Sequence, residues 1–453
     1  MIKEEFKARM KTMLGDEYDA FIRALEDAPP VRGARLNLMK ATEIHLPEGY
    51  RAEPIPYVEN GYILEGEGQI GRSPEHHAGM IYMQDPGAMA ALAATEIEPD
   101  HRVADLCAAP GGKSSQAAER LGEGGFLLSN EFVPKRAKIL VGNLERLGAK
   151  RAMVTSMDTG EIAKLFGPYF DLVIVDAPCS GEGMFRKSEE AREEWTPESP
   201  ALCKERQLEI IENAYNLTRP GGKLLYSTCT WSMEENEEVC LALMKSHPDM
   251  TLIPVREELR AATSDGIVID GEETLRLTRR CYPHMTDGEG QFIALFKKAE
   301  DDADLPTLIY KDSAKPLSRE EKRIVDGFFR DNLKEMPCGR TVKVGENIVH
   351  VGHDVPIPPH SVFMAGVLVG EIRKGILYPH HQLFSAYGCH FKRIEELNAG
   401  DGRCERYLRG EEIEATINES GWCAVSYLGA TVGGGKISGG RIKNHYPKGL
   451  RNS

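Results

Sequence analysis

Residues 103–118 read Val-Ala-Asp-Leu-Cys-Ala-Ala-Pro-Gly-Gly-Lys-Ser-Ser-Gln-Ala-Ala. A short apolar run ends at a polar residue, a Pro-Gly-Gly turn follows, and helix formers come next. That is strand, loop, helix, the opening unit of a doubly wound α/β sheet. Gly111 and Gly112 lack the Cβ atoms that would keep a ligand off the backbone. The helix that follows presents unpaired N–H groups and the positive end of its dipole to the same place. A polar or anionic cofactor is expected there.

The turn lacks the Gly-x-Gly-x-x-Gly of a dinucleotide site, and a phosphate-binding loop needs glycine where Cys107 stands. Glu131, closing Leu-Leu-Ser-Asn-Glu, is placed after a second strand to accept both hydroxyls of a ribose. Asp158 follows a third apolar stretch, Ala152 to Thr155, and is a candidate acceptor for an adenine amino group. Nucleoside contacts without a pyrophosphate loop favour S-adenosylmethionine over NAD or ATP.

Downstream the α/β alternation continues through Asp171-Leu-Val-Ile-Val-Asp-Ala-Pro-Cys-Ser-Gly, a helix from Pro200 to Leu217, and Gly221-Gly-Lys-Leu-Leu-Tyr-Ser-Thr-Cys-Thr. Ser232-Met-Glu-Glu has the pattern of a capping box opening another helix. Gln291-Phe-Ile-Ala-Leu-Phe is the expected last strand. Ligands of such sheets sit at the carboxyl ends of the strands, where two strands deliver thiols, Cys179 and Cys229. A helix N-terminus just beyond Cys229 would favour its thiolate.

A methyl donor beside a thiol fits one problem in particular. Carbon 5 of a pyrimidine is a poor nucleophile until a thiolate adds at carbon 6. The carbon-5 proton must then leave and the thiol be eliminated, which needs a second acid/base group. Asp176 is placed to hold the ring-nitrogen edge of the base. The base must be unstacked, so single-stranded or loop nucleic acid is the expected substrate.

The 453 residues suggest about three domains. The expected division is a small α+β unit over 1–75, the cofactor domain over 76–298, a polar linker over 299–316, a mixed segment over 317–375 and a β-rich module over 376–453. Phe6, Met10, Met13, Leu14, Tyr18, Phe21 and Leu25 recur at helical spacing before Pro29-Pro30, and Arg32, Arg35 and Lys40 are candidate phosphate contacts. No run is long and apolar enough for a membrane span, and the first residues are no signal peptide. The ten cysteines form no Cys-x-x-Cys pair, so neither a metal site nor a disulfide framework is expected, and a reducing cytoplasm fits. The net charge of -14 argues against indiscriminate nucleic-acid binding, yet the last residues reverse sign. Lys436, Arg441, Lys443, Lys448 and Arg451 stand in a stretch with no acid, an expected RNA-binding face.

Asp-Leu-Cys-Ala-Ala-Pro-Gly-Gly-Lys, Asn-Glu, Asp158, Asp-Ala-Pro-Cys-Ser-Gly and Ser-Thr-Cys-Thr, in this order, resemble the Nol/Nop/Sun RNA 5-methylcytosine methyltransferases. The resemblance covers roughly residues 80 to 298. It implies a class I, Rossmann-like S-adenosylmethionine methyltransferase core. It also implies that Cys107, Ala108, Ala109, Pro110, Gly111, Gly112, Lys113, Glu131, Asp158 and Asp176 bind the cofactor or sit against it, that Cys229 is the nucleophile, and that Cys179 helps to break the adduct. Relatives usually carry a serine pair where this chain has Pro86-Gly87-Ala88. The Arg-Gly-Ala-Arg-Leu-Asn unit and the C-terminal modules look like those of the bacterial ribosomal RNA members, whose tail is a PUA-like RNA-binding domain.

Ribosomal RNA, in particular small-subunit RNA, is the substrate this resemblance implies, with transfer RNA the competitor. Three other readings stand beside it. DNA cytosine methyltransferases attack from a Pro-Cys loop, which would make Cys179 the nucleophile, whereas Thr-Cys-Thr at 228–230 favours Cys229. A protein or small-molecule methyltransferase leaves both cysteines and the basic tail unexplained. A non-catalytic RNA-binding assembly factor would not need the full catalytic set.

Overall fold

A computed structural model describes residues 2–301, 308 and 310–452. The centre is a sheet built from β1 (Arg102–Asp105), β2 (Phe126–Asn130), β3 (Ala152–Thr155), β4 (Phe170–Asp176), β5 (Thr218–Thr228) and β6 (Gln291–Lys298). Their spatial order is β3-β2-β1-β4-β5-β6; the first five run parallel and β6 runs antiparallel to β5. The strands read as apolar runs because both faces are covered. Val103, Leu127, Val154 and Ile174 pack against the helices Pro86–Ala93 and Pro134–Leu147. Ala104, Leu128, Met153 and Val173 face the helices Thr159–Phe166, Ser199–Leu217 and Glu237–Ser246. Strand order reverses between β1 and β4, so the loops after these strands diverge and leave a crevice at their carboxyl ends.

The helices Glu4–Leu14 and Tyr18–Glu26 bury Phe6 and Phe21 against Phe185, Trp195 and Trp231. The chain then forms a four-stranded antiparallel sheet whose last strand is Ile81–Met83, paired with Gly33–Leu36. The N-terminal unit therefore runs past the expected boundary at residue 75, because that strand completes its sheet. Arg35 and Lys40 are not phosphate contacts. Arg35 is fully buried in an ion pair with Glu119, and Lys40 donates to the Ser385 and Thr431 carbonyls. Arg32 stays exposed and donates to the Gly66 carbonyl at 3.3 Å.

Part of the expected linker, 302–307 and 309, lies outside the described residues. Beyond it, the segments 315–316, 340–344, 347–351, 367–373 and 376–379 form a second antiparallel sheet. The expected boundary between 375 and 376 falls in the turn of the hairpin Val367–Arg373/Ile376–Pro379, so this sheet ends later than the sequence indicated. Val362–Ala365 leaves it to pair antiparallel with β3, stitching the middle segment to the cofactor domain. The last unit is a five-stranded sheet containing Gly421–Tyr427, Ala430–Ser438 and Arg441–Asn444. It returns to the N-terminal unit: Tyr427 donates to Glu75 at 3.1 Å, and the His77 ring lies 2.7 Å from the Tyr446 hydroxyl.

Candidate active site

β1 ends at Asp105 and the chain turns through Cys107 to Gly111 into the helix Gly112–Ala118. Gly111 sits at φ +116°, in the left-handed region that other residues avoid, and a Cβ on Gly112 would lie 3.0 Å from the Gln84 side chain. These glycines let the loop lie close to the strand Ile81–Met83 and its successor Gln84 while a cavity of about 220 Å³ remains between them. Tyr82, Gln84, Asp85, Asp105, Cys107, Ala108, Ala109, Pro110, Gly112, Lys113 and Asp176 contribute to its wall.

Asp105 is 1% exposed, and Ser114 donates to its Oδ2 at 2.7 Å. Its Oδ1 has no hydrogen-bond partner among the described residues. Burial pushes the carboxyl up to about 7, against the opposing pull of Ser114. Burial also pushes the Cys107 thiol up, helped by Asp105, Asp176 and Glu131, so Cys107 stays a neutral wall residue. Lys113 and Asp176 form an ion pair at 2.7 Å, and Ser227 donates to the Asp176 carboxylate at 2.8 Å. The charge on this floor is thus balanced from within.

Glu131 and Asp158 stand at the ends of β2 and β3 as expected. Glu131 is 3% exposed, accepts from the Val133 N–H at 3.0 Å and pairs with Arg136 at 3.2 Å. Asp158 caps its own helix through the Gly160 N–H at 2.9 Å. Neither lies in the wall of the 220 Å³ cavity, which holds the loop and Asp176. Asn130, read from the sequence only as part of the Asn-Glu motif, donates to the Leu106 and Met157 carbonyls and accepts from Thr155, tying the ends of β1, β2 and β3 together. Phe132 is 67% exposed next to Glu131.

The two thiols converge. Cys179, on the loop after β4, and Cys229, just past β5, place their sulfurs 3.2 Å apart, closer than two unbonded sulfurs without a shared hydrogen. The hydrogen bond with Cys229 and burial together hold the Cys179 thiol well above its usual range. The Cys229 loop is pinned from several sides: Gly183 N–H donates to the Cys229 carbonyl at 2.8 Å, Trp231 N–H to Glu182 at 3.0 Å, and Thr228 to Asn236 at 2.6 Å. Two sequence expectations fail here. The helix after Cys229 begins at Glu237, too far along to act on the thiol, and no capping box forms. Ser232 donates to Glu234, while Glu235 turns inward to the Cys179 loop. The turn 233–236 fits the capping pattern in sequence, and only the packing of that turn against the loop separates the two outcomes.

The basic tail is folded. Lys436 and Lys443 are opposite residues on the hairpin Ala430–Ser438/Arg441–Asn444. Lys436 lies 5.8 Å from the Trp422 ring centre, and the His445 ring centre lies 4.7 Å from it. Both lysines and Lys448 are exposed. Arg441 is instead paired with Glu412 and Glu414, and Arg451 donates to the Tyr446 carbonyl. Those two are less available than the sequence implied. Among the described residues no cluster of three or more candidate metal ligands occurs, and no helix is long and apolar enough to cross a membrane.

Three family models match in succession. The N-terminal domain of 16S rRNA methyltransferase RsmF matches residues 2–86, 16S rRNA methyltransferase RsmB/F matches 92–297, and the RsmF PUA domain matches 395–452. Ribosomal RNA small subunit methyltransferase F of Klebsiella pneumoniae (strain 342) is 30% identical over 471 residues, covering 99% of this chain and 96% of its own. The protein of that name from Escherichia coli (strain SE11) is 30% identical over 468 residues, with coverage of 96% and 92%. A solved methyltransferase homologue from Pyrococcus horikoshii superposes with a TM-score of 0.55 at 26% identity, over 65% of this chain and 95% of that one.

Proposed function

This chain belongs to the 16S rRNA methyltransferase RsmB/F family, and on that premise we propose that it methylates carbon 5 of a cytosine in small-subunit ribosomal RNA through a covalent Cys229 adduct. The observation that carries this reading is the pair of sulfurs 3.2 Å apart at the ends of β4, which borders the cofactor crevice, and its neighbour β5. A methyl transfer to oxygen or nitrogen would need neither.

The wall residues fit S-adenosylmethionine. The Asp105 Oδ1, buried without a donor, suits the α-ammonium group, and Lys113 suits the carboxylate. We assign the ribose hydroxyls to Glu131 and the adenine amino group to Asp158, at the ends of β2 and β3, with the exposed Phe132 ring offering that base an apolar face. When bound, the cofactor supplies a methyl group on a sulfonium. The chain's own residues do the rest. Cys229 gives up its proton to solvent and its thiolate sulfur bonds to carbon 6, which moves electron density to carbon 5. Asp176, steadied by Ser227 and Lys113, holds the ring-nitrogen and amino edge of the base. After carbon 5 has gained the methyl, Cys179, its own proton released to solvent, takes the carbon-5 proton as a thiolate, the carbon–sulfur bond breaks, and Cys229 recovers the electron pair. The raised pKa of Cys179 makes that thiolate a strong base once it has formed.

Bisulfite sequencing of ribosomal RNA from cells lacking this protein is the test. One small-subunit cytosine should lose its protection. An unchanged ribosomal profile with a lost transfer RNA site would transfer the activity to the other substrate.

A further inference from the structure

Past Ala177, whose N–H still donates to the Ser227 carbonyl, the chains leaving β4 and β5 part from the backbone ladder. Side chains therefore share with the Gly183–Cys229 backbone bond in setting the distance between Cys179 and Cys229. One carboxylate does so. Glu235 is fully buried, and its Oε2 accepts from the Ser180 N–H and from Gln207, each at 2.9 Å. Its Oε1 accepts from the Ser180 hydroxyl, which lies 3.0 Å from the Thr230 hydroxyl. Ser180 adjoins Cys179 and Thr230 adjoins Cys229. Gln207 also donates to the Pro178 carbonyl at 3.0 Å, so the loop is gripped on both sides of its thiol.

We propose that Glu235 is the positioning residue that holds Cys179 beside Cys229 for the release of methylated product. The inference rests on the covalent reading above and assigns its second half to a specific support. Every group that meets this carboxylate is a donor, so an acceptor with two oxygens is required. Burial costs the carboxylate enough to push it up to about 7, a cost the three donors offset in part. Glu182, buried nearby, adds repulsion.

The test is Glu235→Gln, which turns one acceptor into a donor facing the Ser180 and Gln207 donors. It is assayed beside wild type and Cys179→Ala with ribosomal RNA and S-adenosylmethionine. Glu235→Gln should keep single-turnover methyl transfer within about twofold of wild type. Its steady-state rate should fall at least tenfold, and a protein–RNA complex should persist on denaturing gels. A loop merely loosened would slow both phases and trap nothing. If Cys179→Ala traps RNA but Glu235→Gln turns over as wild type with no complex, Glu235 has no positioning role. If Cys179→Ala traps nothing, the assignment of attack to Cys229 and release to Cys179 falls, and this inference with it. Should Glu235→Gln lose its fold by circular dichroism, Ser180→Ala decides. That variant removes only the bridge between Glu235 and Thr230, and the same burst with a trapped complex supports the role, whereas wild-type turnover overturns it.

Discussion

Asp105 concentrates the electrostatics of the cofactor cavity in one side chain. Its carboxyl is pushed up to about 7 by burial, so the ligand-free protein holds a proton there that the unfolded chain releases near pH 4. The folded-state value lies above the unfolded one. The stability contributed by this group is therefore full below about pH 4 and declines as pH rises to about 7. A cationic ammonium beside Asp105 requires the ionised form, and binding below pH 7 must expel the proton. Affinity for S-adenosylmethionine should rise by up to about tenfold per pH unit between roughly pH 5 and 7, then level off. In Asp105→Asn the slope should vanish. Calorimetry across that range decides, and a flat wild-type profile would place the ammonium elsewhere. At this scale the sequence was most legible where chemistry dictates residue type. Two strand-end thiols and a Pro-Gly-Gly turn have few other uses. Arg35, Lys40 and Glu235 were misread or passed over because burial is not written in a charge: each looks like surface and is interior.

At the scale of elements, the hairpin Ala430–Ser438/Arg441–Asn444 turns a run of charges into a surface. Its pairing sets Lys436 opposite Lys443, while Ile437 and Ile442, the next pair along, are buried in the core of the last sheet. Deleting the tail would break this sheet, so the informative change is reversal of charge: Lys436→Glu with Lys443→Glu. The logarithm of RNA affinity should lose about 0.7–0.9 of its dependence on log salt for each phosphate contact removed. Affinity for S-adenosylmethionine should stay as it was. An unaltered salt slope would make this face ordinary solvated surface. The strands of the core were legible because runs buried on both faces must be apolar throughout. Where the helix after Cys229 starts was not, since Ser232 and Glu235 satisfy a local capping rule that long-range partners override.

At the scale of the molecule, the sequence blocks are less separate than their composition implied. Asn37 donates to the Gly79 carbonyl at 2.7 Å and to the Leu147 carbonyl at 2.9 Å, fastening the N-terminal sheet to the helix Pro134–Leu147. Val362–Ala365 extends the central sheet from a segment that reads as another domain. That pairing joins residues some two hundred apart and leaves no local signature. The expected boundary at 75 instead separates Gly33–Leu36 from its partner Ile81–Met83, and that at 375 falls inside a hairpin turn. Asn37→Ala would strand two buried carbonyls and should cost about 1–3 kcal/mol, read as a lower urea midpoint. Leu38→Ala, on the exposed neighbour, should stay within about 0.5 kcal/mol of wild type. Equal midpoints for both variants would mean the clasp adds nothing.

The account turns on the order of bond making at Cys229 and Cys179, and denaturing electrophoresis of each Cys→Ala variant after reaction with ribosomal RNA reads that order directly. Cys229→Ala should neither methylate nor trap RNA. Cys179→Ala should transfer the methyl group and remain covalently bound to its product. Trapping by Cys229→Ala and not by Cys179→Ala would make Cys179 the nucleophile, and methylation by both variants with no trapped complex would contradict covalent catalysis in this protein.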